Sequence, residues 1–153
     1  MRHLEHAEQV ALVQWAYMTK LPTASDVKPG AVIGHYLFAV PNGGKRSKSE
    51  AARFKAEGVK SGVSDLILPL RRHQCAGLFL EMKARGNRPT AVQEEWLERM
   101  ELAGYLATWR DNWIDAAGVI ARYVGVREPQ LRVAPVPVPA PVTKKRAAPC
   151  SGR

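Results

Sequence analysis

Cysteine, acidic residues and long apolar runs are all scarce in this chain of 153 residues. Its two cysteines, Cys75 and Cys150, fit no metal-ligand spacing, so we expect reduced thiols in a cytoplasmic protein. No apolar run reaches the ~18 residues of a membrane span, and the N-terminus lacks the apolar core of a secretion signal. The chain has 14 Asp and Glu and 23 Lys and Arg, which gives a formal net charge of +9. Such a small basic protein is expected to bind an acidic partner, first of all nucleic acid.

The positive charge is unevenly spread along the chain. Residues 1–125 hold 17 Lys and Arg against 13 Asp and Glu, whereas residues 126–153 hold 6 against 1. Over residues 133–142, proline alternates with valine and alanine, a composition that cannot bury a core. We therefore predict a globular domain over residues 1–125 and a disordered, Pro-rich basic tail over residues 126–153.

Apolar periodicity and turn residues predict alternating helices and strands. A 3.6-residue period predicts helices over residues 4–19 and 113–124, and capping-box spacing starts two more at Ser47 and Thr90. Short apolar runs predict strands over residues 35–40, 66–68, 77–83 and 105–109. This order indicates an α/β fold in which helices flank a mixed sheet.

Asp65, Glu81 and Lys83 are charged residues on strands otherwise suited to burial. Paired strands lie ~4.8 Å apart, so the two carboxylates can converge if these strands are neighbours. Carboxylates that close repel unless a cation lies between them, and Mg²⁺ prefers oxygen ligands. Such a metal can activate water for phosphodiester cleavage, with Lys83 orienting that water or stabilising the transition state. The alternative is a surface salt bridge from Lys83 to either carboxylate.

Several stretches together resemble the VRR-NUC (virus-type replication-repair nuclease) family of the PD-(D/E)XK, restriction-endonuclease-like superfamily. They share their order and spacing with the family and cover roughly residues 3–124. The matching stretches are Val-Pro-Asn-Gly-Gly at 40–44 with Arg46, residues 58–66, residues 77–83, Gln93 with Trp96, and residues 104–105. The resemblance implies an αβββαβ core.

The resemblance also implies a role for each matching residue. Asp65 and Glu81 correspond to the ligands of Mg²⁺ or Mn²⁺, and Lys83 corresponds to the catalytic lysine. Gln93 corresponds to the family's glutamine, although a local capping box with Thr90 would equally explain it. An acidic residue on the first helix completes the family's site, and we assign it to Glu5, with Glu8 as the alternative. Where the family often has proline before the aspartate, this chain has Ser64.

A basic segment follows the first predicted strand. Its cations would give salt-dependent affinity for DNA phosphates, and the alternative is a solvated helix face. The resemblance adds Asn42 and Arg46 as DNA contacts. The predicted DNA-binding residues are Asn42, Lys45, Arg46, Lys48 and Lys60, with Arg53 and Lys55 in the same segment.

Together, the residues and the resemblance predict a metal-dependent DNA endonuclease of phage or bacterial DNA replication and repair. We expect it to select DNA structures in the manner of Holliday-junction resolvases and to act as a homodimer, since a two-fold axis would place two sites on two strands. One alternative is a non-catalytic DNA-binding module of the same fold. Another is an adaptor that binds a partner through its Pro-rich tail.

Overall fold

The chain folds into a four-stranded sheet with helices on both faces. The structure is a computed structural model that describes residues 2–41 and 48–129. Its helices are α1 (Arg2–Met18), α2 (Lys48–Ala56), α3 (Ala91–Leu102) and α4 (Trp113–Val124). Its strands are β1 (Phe38–Ala39), β2 (Leu66–Leu68), β3 (Leu78–Met82) and β4 (Leu106–Arg110).

The sheet is mixed, with strand order β1-β2-β3-β4. β1 pairs antiparallel with β2, and β2 pairs antiparallel with β3, with Leu66 opposite Leu80. β3 and β4 are parallel, with Leu78 opposite Leu106, and α3 provides the crossover that a parallel pair requires. The predicted α/β class and αβββαβ order are confirmed, with α2 as an additional helix between β1 and β2.

Side chains of β3 alternate between two cores, as the sequence pattern predicts. Leu78, Leu80 and Met82 are fully buried in the larger core, which includes residues of α1 and α4. Phe79 enters a smaller core against α3, where its ring meets Trp96 edge-on at 6.2 Å between centroids. By the same alternation, Glu81 faces α3 as Phe79 does, in a sheet that has apolar packing on both faces.

The first strand is much shorter than predicted. The sequence pattern predicts extended backbone over residues 35–40, but Ile33–His35 forms a 3-10 helix and β1 has only two residues. The carbonyl of Ile33 accepts hydrogen bonds from the backbone N–H groups of both Tyr36 and Leu37. These bonds turn the backbone back on itself and bury Leu37, leaving little length for strand pairing.

The segment leading into β2 packs tightly against the start of α3. Gly62 has a φ of +79°, and a Cβ there would lie 2.7 Å from Cγ1 and 2.9 Å from the carbonyl oxygen of Val92. Only glycine allows both this backbone conformation and this approach. At the end of the segment, the backbone N–H of Val40 donates to the carbonyl of Asp65 at 2.8 Å. Asp65 is thus fixed between β1 and β3.

The predicted tail and part of the basic segment lie outside the described residues. Asn42, Lys45 and Arg46 fall in the gap at residues 42–47, and the tail is described only as far as Pro129. Before that point, α4 ends at Gly125, whose φ of +76° caps the helix. Within residues 2–41 and 48–129, no helix has the length and hydropathy needed to cross a membrane.

Candidate active site

The antiparallel pairing of β2 and β3 places Asp65 beside Glu81. Leu66 is opposite Leu80, so the same antiparallel register places Asp65, one residue earlier, opposite Glu81, one residue later. Opposite residues of an antiparallel pair share one face of the sheet. Oδ2 of Asp65 accepts a hydrogen bond from the backbone N–H of Met82 at 2.9 Å. The carboxylate of Asp65 is therefore held against the backbone of the strand that carries Glu81.

The carboxyl group of Glu81 is buried and only half satisfied. Its side chain is 1% exposed. Oε1 accepts hydrogen bonds from Nζ of Lys83, at 2.6 Å, and from Nε2 of Gln93. Oε2 is equally buried and has no hydrogen-bond partner among the described residues. A buried oxygen without a partner is costly, so this atom is a candidate ligand for a bound cation.

Lys83 joins the carboxylates of two different elements. Its Nζ lies 2.6 Å from Oε1 of Glu81 on β3 and 3.8 Å from Oε1 of Glu5 on α1. Its backbone N–H donates to the carbonyl of Arg110, which extends the parallel pairing past the end of β3. The side chain is 12% exposed, so this cluster differs from the solvated surface salt bridge that the sequence left open.

Of the two glutamates considered on the first helix, Glu5 is the one near the site. Glu8 points elsewhere, because its Oε2 accepts the backbone N–H of Trp113 at 2.7 Å, at the start of α4. Glu8 thereby stabilises a helix N-terminus, where a negative charge is favourable. It also anchors α1 to α4, which holds Glu5 in range of Lys83.

Gln93 forms the capping box that the sequence predicted as a local explanation and also contacts the candidate site. Its Oε1 accepts the backbone N–H of Thr90 at 2.9 Å, and its backbone N–H donates to Oγ1 of Thr90, completing a capping box. Its Nε2 donates to Glu81 at the same time. The start of α3 therefore holds the buried carboxyl group directly.

Burial raises the proton affinity of both carboxyl groups, and repulsion by Asp65 adds to the rise at Glu81. Burial first, and then the charge of Asp65, raise the pKa of Glu81 to about 7, although Lys83 opposes the shift. Burial likewise raises the pKa of Asp65, against the effects of the Met82 N–H and Lys83. With Glu5 nearby, three carboxyl groups surround one lysine. The site has an excess of negative charge that a cation would relieve.

The residues present fit a hard divalent cation better than a zinc-type site. Within residues 2–41 and 48–129, no three His, Cys, Asp or Glu side chains are arranged to hold a metal. Mg²⁺ does not need such a cage, since one or two carboxylates with waters and substrate phosphates commonly suffice. Asp65 and the unpartnered Oε2 of Glu81 meet that requirement.

The predicted DNA-binding residues are only partly described. Lys48 begins α2, and Lys60 is exposed on the segment before Gly62. Lys60 shares a small cavity of about 210 Å³ with Ser61, Trp96 and Arg99. Arg99 did not stand out in the sequence, because it lies 39 positions away from Lys60 and only the fold brings the two together.

Ser64, where the family often has proline, is fully buried. Its Oγ has no hydrogen-bond partner among the described residues. No contact of this hydroxyl group therefore accounts for serine at this position.

A solved structure described as a VRR_NUC domain protein matches this fold. The two chains are 28% identical, and the match covers 80% of this chain and 89% of the other, with a TM-score of 0.66. The match supports assignment of this chain to the VRR-NUC family. No family model and no curated protein sequence matches it. The chain therefore has a nuclease-like fold similar to that of a VRR_NUC domain protein.

Glu81→Gln should stabilise the metal-free protein at high pH. The pKa of Glu81 rises from 4.5 to about 7 on folding, so the folded state binds more protons between these values. Stability is then lost as pH rises through that window, by up to about 3 kcal/mol. Glutamine can still accept the hydrogen bonds from Lys83 and Gln93 without carrying the charge.

The measurement is denaturant unfolding with a chelator present, at pH 5 and pH 8. The gain in unfolding free energy from Glu81→Gln over wild type should be larger at pH 8 than at pH 5. Glu98→Gln, an exposed α3 control, should show no such gain. A Glu81→Gln protein less stable than wild type at pH 8 would contradict the electrostatic description of the site.

Proposed function

We propose that this VRR-NUC chain is a DNA endonuclease that hydrolyses phosphodiester bonds with Mg²⁺ or Mn²⁺. The observation that carries the proposal is the buried carboxyl group of Glu81, which has one unpartnered oxygen and lies beside Asp65 and Lys83. Structural ion pairs neutralise charge, whereas this cluster accumulates negative charge where an anionic phosphate would have to approach. A bound divalent cation would give the unpartnered oxygen of Glu81 a partner and would neutralise the excess negative charge.

Each residue then has a distinct role. Asp65 and Glu81 hold the metal, which supplies charge neutralisation and a more acidic water when bound. Lys83 presents its ammonium group beside them, where it can orient the attacking water and stabilise the charge that develops on the phosphate. Gln93 fixes the carboxyl group of Glu81, and Glu5 limits the motion of Lys83.

DNA is the substrate that charge and family favour. The net charge of +9 provides sequence-independent attraction to phosphates, and Lys60 lies just before the segment from Gly62 to Asp65 that enters the site. We extend the proposal to branched DNA and to a homodimer, because a chain of this size spans a four-way junction most simply as two copies related by a two-fold axis.

The proposal predicts metal-dependent cleavage that requires both the metal ligand Asp65 and the lysine Lys83. Labelled duplex, flap and four-way-junction DNA should be cut by wild type with Mg²⁺ or Mn²⁺ but not with a chelator. Asp65→Ala and Lys83→Ala should each lower the rate at least about 100-fold, as expected when a metal ligand or an electrostatic contact to the transition state is removed.

Two substitutions of exposed residues serve as controls for charge. Lys28→Ala removes one positive charge and Glu98→Ala one negative charge away from the site, matching Lys83→Ala and Asp65→Ala. Both control variants should cleave at the wild-type rate. Faster cleavage of the junction than of the duplex would support structure selectivity. Binding of these DNAs without cleavage under either metal would overturn the catalytic proposal and favour a DNA-binding module.

Thr90→Ala and Gln93→Ala should separate capping from catalysis. Each variant loses one of the two reciprocal bonds of the capping box, and loss of the N-cap side chain in Thr90→Ala costs about 1 kcal/mol of stability. Only Gln93→Ala also loses the contact to Glu81. Loss of a group that orients a metal ligand typically lowers metal affinity or activity about 10- to 100-fold.

The measurement is the cleavage rate as a function of Mg²⁺ concentration, together with thermal unfolding of each variant. Gln93→Ala should need more Mg²⁺ to reach half its maximal rate, whereas Thr90→Ala should follow the wild-type curve. Equal curves for the two variants would show that Gln93 acts only as a helix cap.

A further inference from the structure

A second cavity, of about 310 Å³, lies on the sheet face opposite the contact between Glu81 and Gln93. It is lined by alternate residues of β4 and by α4, whereas Ala107 of β4 faces α3. Its polar lining consists of His73, Thr108, Arg110 and Arg122. No acidic side chain is among the described residues that line it, and Arg110 and Arg122 are the arginines of that lining.

Arg110 is held in place within this cavity. Its Nη1 donates to Oγ1 of Thr108 at 2.8 Å and to the carbonyl of Trp109. The remaining guanidinium donors are on Nε and Nη2. Burial and the nearby charge of Arg122 lower the pKa of Arg110 from its usual value. The part-buried Arg110 and the more exposed Arg122 thus line the same cavity, where an anion would relieve the repulsion between them.

The acidic groups around the cavity have partners of their own, and one of them pairs with the lining residue Arg122. Glu128 pairs with Arg122 at 2.7 Å, but it is not a lining residue. Asp111 and Asp115 favour the charge on Arg110. Oδ2 of Asp111 accepts the backbone N–H of Gly86, and Oδ2 of Asp115 accepts from Nδ2 of Asn112. These acids offset part of the guanidinium charge, but none of them is among the residues that line the cavity.

The rest of the lining is apolar and well anchored. Leu106, Val119 and Tyr123 line it, and Tyr123 is fixed by its hydroxyl group, which donates to the carbonyl of Leu70 at 2.7 Å. Small-molecule sites begin at ~300 Å³ and combine apolar walls with a few polar groups. A bare phosphate ion would leave most of this volume and all of the apolar wall unused.

We propose that this cavity binds an organic phosphate of the nucleotide class. Thr108, Arg110 and Arg122 take the phosphate group, and the sugar or base lies against Leu106 and Val119. The inference is independent of the proposed nuclease activity, because none of these residues belongs to the site of Asp65, Glu81 and Lys83. The phosphate can come from a free nucleotide or from a DNA strand.

The test is calorimetric titration of the full chain with a nucleoside 5′-monophosphate, in the presence of a chelator. Wild type should bind it, and Arg110→Gln and Arg122→Gln should each weaken binding about tenfold or more, as expected for a charge-assisted contact. Arg99→Gln is the matched control, because Arg99 is also an exposed helix arginine paired with a glutamate, at 2.6 Å.

Arg122 is largely exposed, so Arg122→Gln should fold normally, and thermal unfolding of each variant verifies this. Absence of binding to wild type would overturn the proposal. So would an equal loss in Arg99→Gln, which would assign binding to general charge or to the cavity at Lys60.

Competition by oligonucleotides identifies the source of the phosphate. A 5′-phosphorylated strand that displaces the mononucleotide, when its 5′-hydroxyl counterpart does not, indicates a strand end as the ligand. Displacement by both strands indicates the DNA backbone, and displacement by neither indicates a free nucleotide. All three results support the site and differ only in the origin of its ligand.

Discussion

Two carboxyl groups held side by side, that of Glu81 buried and that of Asp65 half-buried, are the constraint on which this structure depends. The antiparallel register of β2 and β3 sets Asp65 opposite Glu81, and packing against α3 buries Glu81 almost completely. Asp65 cannot move away without losing its bond from Met82, and Glu81 cannot move away without losing its bonds from Lys83 and Gln93. The repulsion between them is therefore part of the fold, and Lys83 compensates for only some of it.

The surrounding elements maintain this arrangement from three directions. α3 contributes Gln93, which the capping box with Thr90 holds at the N-terminus of the helix. α1 contributes Glu5, because Glu8 fastens that helix to the start of α4. The close approach of Gly62 to α3 fixes the segment that ends in Asp65. Proteins commonly give up stability at functional sites, and here the loss is concentrated in one buried carboxyl group.

Much of this was predictable from the sequence, for identifiable reasons. The alternation of β3 places Glu81 among apolar neighbours, and a charged residue at a position suited to burial is conspicuous in the sequence pattern itself. The capping-box spacing of Thr90 and Gln93 likewise locates the start of α3. A role for Gln93 in the site was implied only by family resemblance, since the local cap explains the same residue, and its contact with Glu81 was not predicted.

Other features depend on contacts between residues far apart in the chain. Family resemblance favoured Glu5 over Glu8, but the contact of Glu5 with Lys83 depends on how α1 docks on α4. The cluster of Arg110 and Arg122 exists only because α4 folds back over β4. The turn at Ile33 replaces most of a predicted strand because its backbone bonds satisfy the same residues locally.

The most direct test of the central claim is titration of the chain with Mn²⁺ by calorimetry, in buffers of different ionisation enthalpy near pH 6.5. Because the pKa of Glu81 is about 7, metal binding should release a proton, so the measured heat should depend on the buffer. Asp65→Asn and Glu81→Gln should each weaken binding about tenfold or more, and Glu81→Gln should remove most of the proton release. Glu98→Gln should bind as wild type does. Mn²⁺ binding that is unchanged in Asp65→Asn and Glu81→Gln, or absent from the wild-type chain, would contradict the account.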